Sequence, residues 1–340
     1  MSSVRRHPGV AAAPGIPERT PAFSLKRWAP RPPARVDPAL GEPALARLRT
    51  SAAAADWPAV KEQLSAVTDG WELSWLVDNA LDVGGYERWL PKVVEAEPEC
   101  GTALLVAGAR QVQWAWEART RARASQVSQE QFRVFHERLE AAEDLLYRAA
   151  EREPESAAPW YFLQRSGRGL GVGADLARLR FEATVRRCPG HLGAHLERLQ
   201  QVCRKWGGSY EEMHAFARES MLGAPEGSAL GVLVAVAHLE HWLDLEPGRD
   251  SAYILSDAVA EQLHEAADRS VRHPAFGRPT GWAHVLNTFA MSFSLTGENP
   301  SAAAVFAALG GLVTADPWEY LDSADPRVPY RAMRSAAGRH

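Results

Sequence analysis

From about Glu42 onward, apolar residues recur at the three- and four-residue spacing that gathers them on one side of a helix, almost without a break. Asp56-Trp57-Pro58 has the form of an N-cap followed by proline in the first turn. Trp71, Trp75 and Leu76 continue the pattern until Gly84-Gly85 interrupts it, and Pro91 either kinks the next helix or begins it. Pro98 closes a first hairpin. Longer helices are predicted over residues 101–123 and 128–152, joined around Ser125, with Ser128 and Gln131 at the spacing of a capping box. Leu139, Ala142, Leu145, Leu146 and Ala149 form the apolar stripe of the second. Further helices are predicted over 158–169, 174–187, 191–205, 209–222, 228–244, 251–272, 281–296 and 300–314. No segment shows the two-residue alternation of a strand.

Within this pattern the chain repeats itself. Ala142, Leu146, Ala149 and Pro154 are echoed 35 residues later by Ala177, Phe181, Thr184 and Pro189, and Trp160-x2-Leu163 lies between the two sets. The spacing is close to the 34-residue tetratricopeptide (TPR) pattern. Small residues let two antiparallel helices approach, a large apolar residue fills the gap between them, and proline ends the second helix. Pro154, Pro189, Pro225, Pro274 and Pro317 follow one another at 35, 36, 49 and 43 residues, so later repeats are enlarged or degenerate. The expected fold is all-α, a TPR-like α-solenoid of antiparallel helical hairpins over residues 44–320.

The flanks look different. Residues 1–43 hold nine of the 23 prolines and seven basic residues against three acidic ones, a composition expected of a disordered arm. Residues 321–340 read as an irregular tail. Arg5-Arg6 is not followed by an apolar run, since Pro14 and Gly15 interrupt it, so a twin-arginine export signal is not expected. With no apolar stretch of 18 residues, no membrane-spanning helix is expected either.

Composition narrows the chemistry only slightly. Hydrophobic residues make up 46% and charged ones 24%, with a net charge of −4 that favours neither nucleic acid nor an anionic membrane. Arginine outnumbers lysine 34 to 4, which reads as the mark of a GC-rich genome. Cys100, Cys188 and Cys203 are odd in number and form no C-x-x-C pair, which argues against a disulfide framework or a cysteine-based zinc site and fits a cytoplasmic protein.

The most distinctive short string is Lys205-Trp206-Gly207-Gly208-Ser209-Tyr210-Glu211-Glu212-Met213. Gly207 suits the left-handed end of a helix, and Ser209 with Glu212 suits the opening of the next. A second reading makes Gly207-Gly208 an anion-binding loop, although it lacks the further glycines and the lysine of a P-loop. With Phe216-Ala217-Arg218 and Ala237-His238-Leu239-Glu240, the string resembles an uncharacterised bacterial family of TPR-like proteins with a similar W-G-G-S…E-x-M…F-A-R signature, over roughly residues 90–320. The resemblance implies the helical-repeat fold and carries no activity with it.

No nucleophile elbow, Cys–His context or paired carboxylates are present. The principal expectation is a non-catalytic protein without cofactor or metal, which binds a protein or peptide along a groove lined by the first helix of each hairpin. In the TPR register Arg165, Arg168, Gln200, Arg204 and Glu240 face that groove and suit an acidic segment. The lysine and asparagine pattern of chaperone-binding carboxylate clamps is absent. Trp116 is a candidate partner anchor. Arg119, with Arg121 and Arg123, is a candidate docking patch or simply a solvated helix end. The competing class is an enzyme or metal protein built on His191 and His195, His238 and His241, with Glu197 and Glu240 nearby. Against it, His195 occupies the slot that Trp160 holds in the preceding repeat, six residues past the proline, where a core histidine is expected.

Overall fold

The computed structural model describes residues 32–119 and 128–339. Residues 1–31, which hold most of the expected arm, and the predicted junction around Ser125 lie outside the described residues.

Local chemistry sets where the helices begin. The Asp56 carboxylate accepts the Ala59 N–H and opens α2 (Trp57–Ser65), after α1 (Pro43–Ala53). Asp69 caps α3 (Gly70–Ala80) in the same way. Gly85, at φ +103°, starts α4 (Tyr86–Ala96) ahead of Pro91, so the helix runs through the proline. After α5, which is described over Gly101–Arg119, the reciprocal Ser128–Gln131 box opens α6 (Gln129–Arg152). Then come α7 (Ala158–Leu170), α8 (Ala174–Arg187), α9 (Leu192–Gln201), α10 (Tyr210–Gly223) and α11 (Val232–Asp244). The segment 251–272, expected as one helix, is two: α12 (Arg249–Ile254) and α13 (Asp257–Arg269), broken where Ser256 turns extended. The last helices are α14 (Trp282–Leu295), α15 (Asn299–Leu309) and α16 (Arg327–Ala337).

Helices neighbouring in sequence pack as pairs, α5 with α6, α7 with α8, α10 with α11 and α14 with α15. A second set of contacts links α5 to α7, α7 to α9, α9 to α11 and α11 to α14. The repeat motif sits in these contacts. Ala142, Leu146 and Ala149 are buried, as are Ala177 and Thr184. A Cβ on Gly108 of α5 would meet Leu146 at 2.6 Å, so the small slot sets how closely α5 and α6 approach. The core has two apolar clusters, one centred on α1–α7 and one on α9–α16. Trp71 touches both and donates from its indole to Thr280 O at 2.9 Å.

The described parts of both flanks depart from expectation. Residues 32–42 are packed: Arg35–Val36 (β1) pairs in parallel with Leu312–Val313 (β2), and Arg334 donates to Pro32 O at 2.7 Å. Ala34 rests on the second cluster and Leu40 on the first, so this segment ties the beginning of the fold to its end. Strands of two residues carry no alternation for a sequence pattern to show. The tail also folds: α16 buries Tyr330 fully against Phe306 and Trp318, with Met333 and Ala337 on the same stripe. Removing residues 1–42 therefore lowers the melting temperature by roughly 2–4 °C or more relative to removing residues 1–31. Equal melting of the two truncated chains would show that β1 contributes nothing.

Candidate partner-binding surface

Arg165 and Arg168 lie one turn apart on α7, on the side that meets α9. Arg165 pairs with Asp78 of α3, and its Nε lies 3.6 Å from Glu197 Oε1. Burial works against its charge, but Asp78, Tyr161 and Glu197 outweigh that penalty and hold its pKa above the ordinary arginine range. Arg168 Nε donates to Glu197 Oε2 at 2.9 Å. Its guanidinium stands 4.6 Å from the Trp116 ring and 5.1 Å from the Trp206 ring, and the two indoles meet edge-on at 6.4 Å. Arg119 also lies over the Trp116 ring, at 5.6 Å. Three expected partner-binding residues, Trp116, Arg119 and Arg168, thus converge from two helices, and Trp206 joins them. Arg121 and Arg123 lie outside the described residues.

The remaining candidates form an adjoining cluster. Glu240 of α11 accepts from Gln200 Nε2 and Lys205 Nζ, each at 2.6 Å, and from Tyr320 Oη at 3.3 Å. At 6% exposure it is a largely covered acceptor. α11 is mostly covered from Val232 to Glu240, which leaves Glu240 little surface for a partner. Arg204 reaches Asp244 Oδ2 at 3.4 Å and Tyr210 Oη at 3.3 Å while staying well exposed. A cleft of about 120 Å³ opens between Arg204, Lys205, Glu240 and Asp244.

One short turn builds both clusters. After α9, residues Arg204–Trp206 form a single 3-10 turn whose three side chains reach separate neighbours: Asp244, Glu240 and the Arg168–Trp116 stack. Gly207 closes it at φ +96°, and Ser209 accepts the Glu212 N–H at 3.0 Å to open α10. The N–H of Gly207 donates to Arg204 O and that of Gly208 to Cys203 O. Both donors are used within the turn, so the anion-binding reading of this loop loses its donors. Sequence reasoning found the turn but not that Trp206 caps Arg168, because that contact joins residues far apart in the chain.

The histidines of the competing reading divide. The Ala194 N–H donates to His191 Nδ1 at 3.1 Å, so the ring hydrogen sits on Nε2, 2.9 Å from Ser74 Oγ; His191 is the N-cap of α9. His195 bonds to His191 O at 3.1 Å and packs edge-on against Phe181, the core role its repeat position implied. Glu197 and Glu240 are held by Arg168 and Lys205. His238 and His241 meet His214 instead. Among the described residues no three of His, Cys, Asp and Glu are arranged to hold a metal ion. The cysteines are unpaired, and burial pushes the Cys203 thiol up to about 12, which makes it a poor nucleophile.

Burial lowers the His191 pKa from 6.5 to about 3. A proton on Nδ1 would break the cap, so below pH 6.5 protons favour the unfolded chain. The stability His191 contributes is complete above that pH and is lost as pH falls toward 3. The melting temperature should drop between pH 6.5 and 4, and His191→Asn, which caps without titrating, should flatten the drop. An identical pH profile in that variant would remove His191 as a cause.

Compared with known proteins, the chain matches no family model, and no curated protein matches it. Among the described residues no helix is long and apolar enough to cross a membrane.

Proposed function

We propose that this chain is a TPR-like helical-repeat scaffold, cytoplasmic and non-catalytic, that binds an acidic protein segment. The paired helices and the line of contacts from α5 through α7, α9 and α11 to α14 support a solenoid of hairpins. The resemblance of its W-G-G-S turn to bacterial TPR-like proteins belongs to the same proposal.

One observation carries the binding reading. Trp206 remains 37% exposed although Arg168 and Trp116 hold its ring in place, and the two residues before it, Arg204 and Lys205, are exposed cations. A rigid indole beside two cations offers an anchor that loses little entropy on binding and a charge that selects carboxylates. Glu240 and Asp244 orient the cations, and a carboxylate of the bound segment shares Arg204 and Lys205 with these internal partners.

The test is a peptide panel of equal length, acidic, neutral and basic, each with one aromatic residue, read by fluorescence polarisation. Acidic peptides should bind tightest and weaken with salt. Trp206→Ala and Arg204→Glu should each weaken binding about tenfold, or 1.4 kcal/mol. Binding indifferent to peptide charge, or untouched by both substitutions, would overturn the proposal.

A further inference from the structure

The turn that seats Trp206 also forms one side of the cleft next to it, and the bottom of that cleft differs chemically from its rim. Arg204 pairs with Asp244 at 3.4 Å and Lys205 with Glu240 at 2.6 Å, so the rim carries two ion pairs. Beneath them lie Cys203 and Met213, with Tyr210 and Leu243 at the sides. The Cys203 thiol has Leu199 O at 3.2 Å and Met213 Sδ at 3.3 Å to donate to, so its hydrogen is already engaged. An occupant would meet polarisable sulfur and carbon there and no free donor. Leu243 is 40% exposed and belongs to neither apolar cluster. Its side chain walls the cleft without packing the fold.

Size and charge narrow the occupant. At about 120 Å³ the cleft is smaller than the ~150 Å³ cavity that takes a benzene ring, and far below the ~300 Å³ at which cofactor pockets begin. It has room for one aliphatic side chain. The rim is balanced in charge but not in exposure. The Arg204 and Lys205 side chains are 64% and 47% exposed, against 40% and 5% for their partners Asp244 and Glu240. A chain lying across the rim therefore meets positive charge first, which suits a carboxylate next to the buried side chain.

We propose that the cleft selects, within the acidic segment, a leucine-sized aliphatic side chain whose neighbouring residue bears a carboxylate. The aliphatic group fills the cleft over Cys203 and Met213, and the carboxylate lies on Arg204 and Lys205. The inference rests on the acidic-segment reading and adds an apolar residue at a fixed place in that segment. Leu243 is the specificity-determining side chain, because it supplies the apolar wall at the cleft's open edge. An indole is too large for the volume, and a polar side chain finds no donor at the bottom. A lone methyl group leaves the cleft mostly unfilled and Leu243 in water.

The experiment uses the full chain and peptides acetylated and amidated at their ends, so that no terminal charge contributes. The parent peptide carries Leu-Asp, and three relatives carry Ala-Asp, Trp-Asp or Leu-Asn in its place. Fluorescence polarisation should show each relative binding about tenfold more weakly than the parent. Leu243→Ser should bring the ratio of Leu-Asp to Ala-Asp affinity below about three and leave the Ala-Asp affinity unchanged. In the native chain with isotope-labelled methionine methyls, the Met213 NMR signal should shift with Leu-Asp and not with Ala-Asp, while that of Met333 on α16 stays in place. That readout needs no variant to fold. Equal affinity for Leu-Asp and Ala-Asp, or an unmoved Met213 signal, would overturn the aliphatic site and leave the acidic-segment reading standing. Trp-Asp binding as tightly as the parent would overturn the size limit, and an unchanged ratio in Leu243→Ser the role of Leu243. Leu-Asn binding as tightly as the parent would overturn the acidic reading and leave the apolar cleft. No binding by any of the four would overturn both.

Discussion

Gly208→Ala destabilises the protein by on the order of 3 kcal/mol, more than any other single-methyl addition to the turn after α9. A Cβ on Gly208 would lie 2.0 Å from Val202 O, 2.4 Å from Val202 C and 2.8 Å from its Cα. These are backbone atoms of the same turn, so no side-chain rotation relieves the overlap. Val202 and Cys203 are buried in the second cluster and cannot retreat. The turn would have to open, giving up the bonds from Trp206 N and Gly208 N to Cys203 O. Gly207→Ala is a useful contrast. Its Cβ would meet nothing within 4 Å, and the cost is confined to placing a side chain at φ +96°, about 1 kcal/mol. Urea denaturation should rank Gly208→Ala well below Gly207→Ala. Equal or reversed stabilities would mean that the turn tolerates opening, and with it that Trp206 is not held rigidly over Arg168.

That ranking also shows where sequence reasoning stopped. The string K-W-G-G-S announced a turn, and left-handed glycine after a helix is a local rule, so weight fell on Gly207. The requirement at Gly208 comes from a close approach to Val202 that only the folded turn displays. The same division runs through the molecule. Asp56, Ser128 and Ser209 are legible as caps because a cap and the N–H that donates to it lie three residues apart. The Ala142–Leu146–Ala149 stripe was legible because one helix face carries it. The pairing of Asp78 with Arg165, the seating of Arg168 between two indoles and the parallel pairing of β1 with β2 were not. Each joins residues whose neighbourhood depends on how several helices stack. Glu240 shows the converse: periodicity places it on the groove, and the cover over α11 leaves it only 6% exposed. His214 shares no short spacing with His238 and His241 on one helix, so no sequence pattern joins it to them.

Arg180→Ala should cost about 3 kcal/mol or more, at a position no pattern in the sequence marks. The side chain is charged, sits in α8 and is 1% exposed. Its guanidinium grips Glu143 of α6 through two bonds, 2.7 and 2.9 Å, donates to Leu163 O of α7 at 2.7 Å, and reaches Tyr147 Oη at 2.9 Å. Gly167 makes the room, since a Cβ there would lie 2.7 Å from Arg180 Nη1. Truncating Arg180 takes the counter-charge from Glu143, leaving it only the Ser166 hydroxyl at 3.0 Å, removes a donor from Leu163 O and opens a cavity among three helices. Most of the loss comes from the abandoned charge, not from a large net strength of the ion pair. Arg180→Met combined with Glu143→Gln should therefore recover more than half of it, because the methionine fills the space and the amide needs no counter-charge. Urea denaturation of the single and double variants measures both quantities. A single variant within 1 kcal/mol of the parent would mean that water reaches Glu143 and replaces the arginine. The contact matters for function because α7 carries Arg165 and Arg168. Losing the brace among α6, α7 and α8 should loosen the seat of Trp206, so the Arg180→Ala chain should also lose acidic-peptide affinity while the Met/Gln pair keeps it.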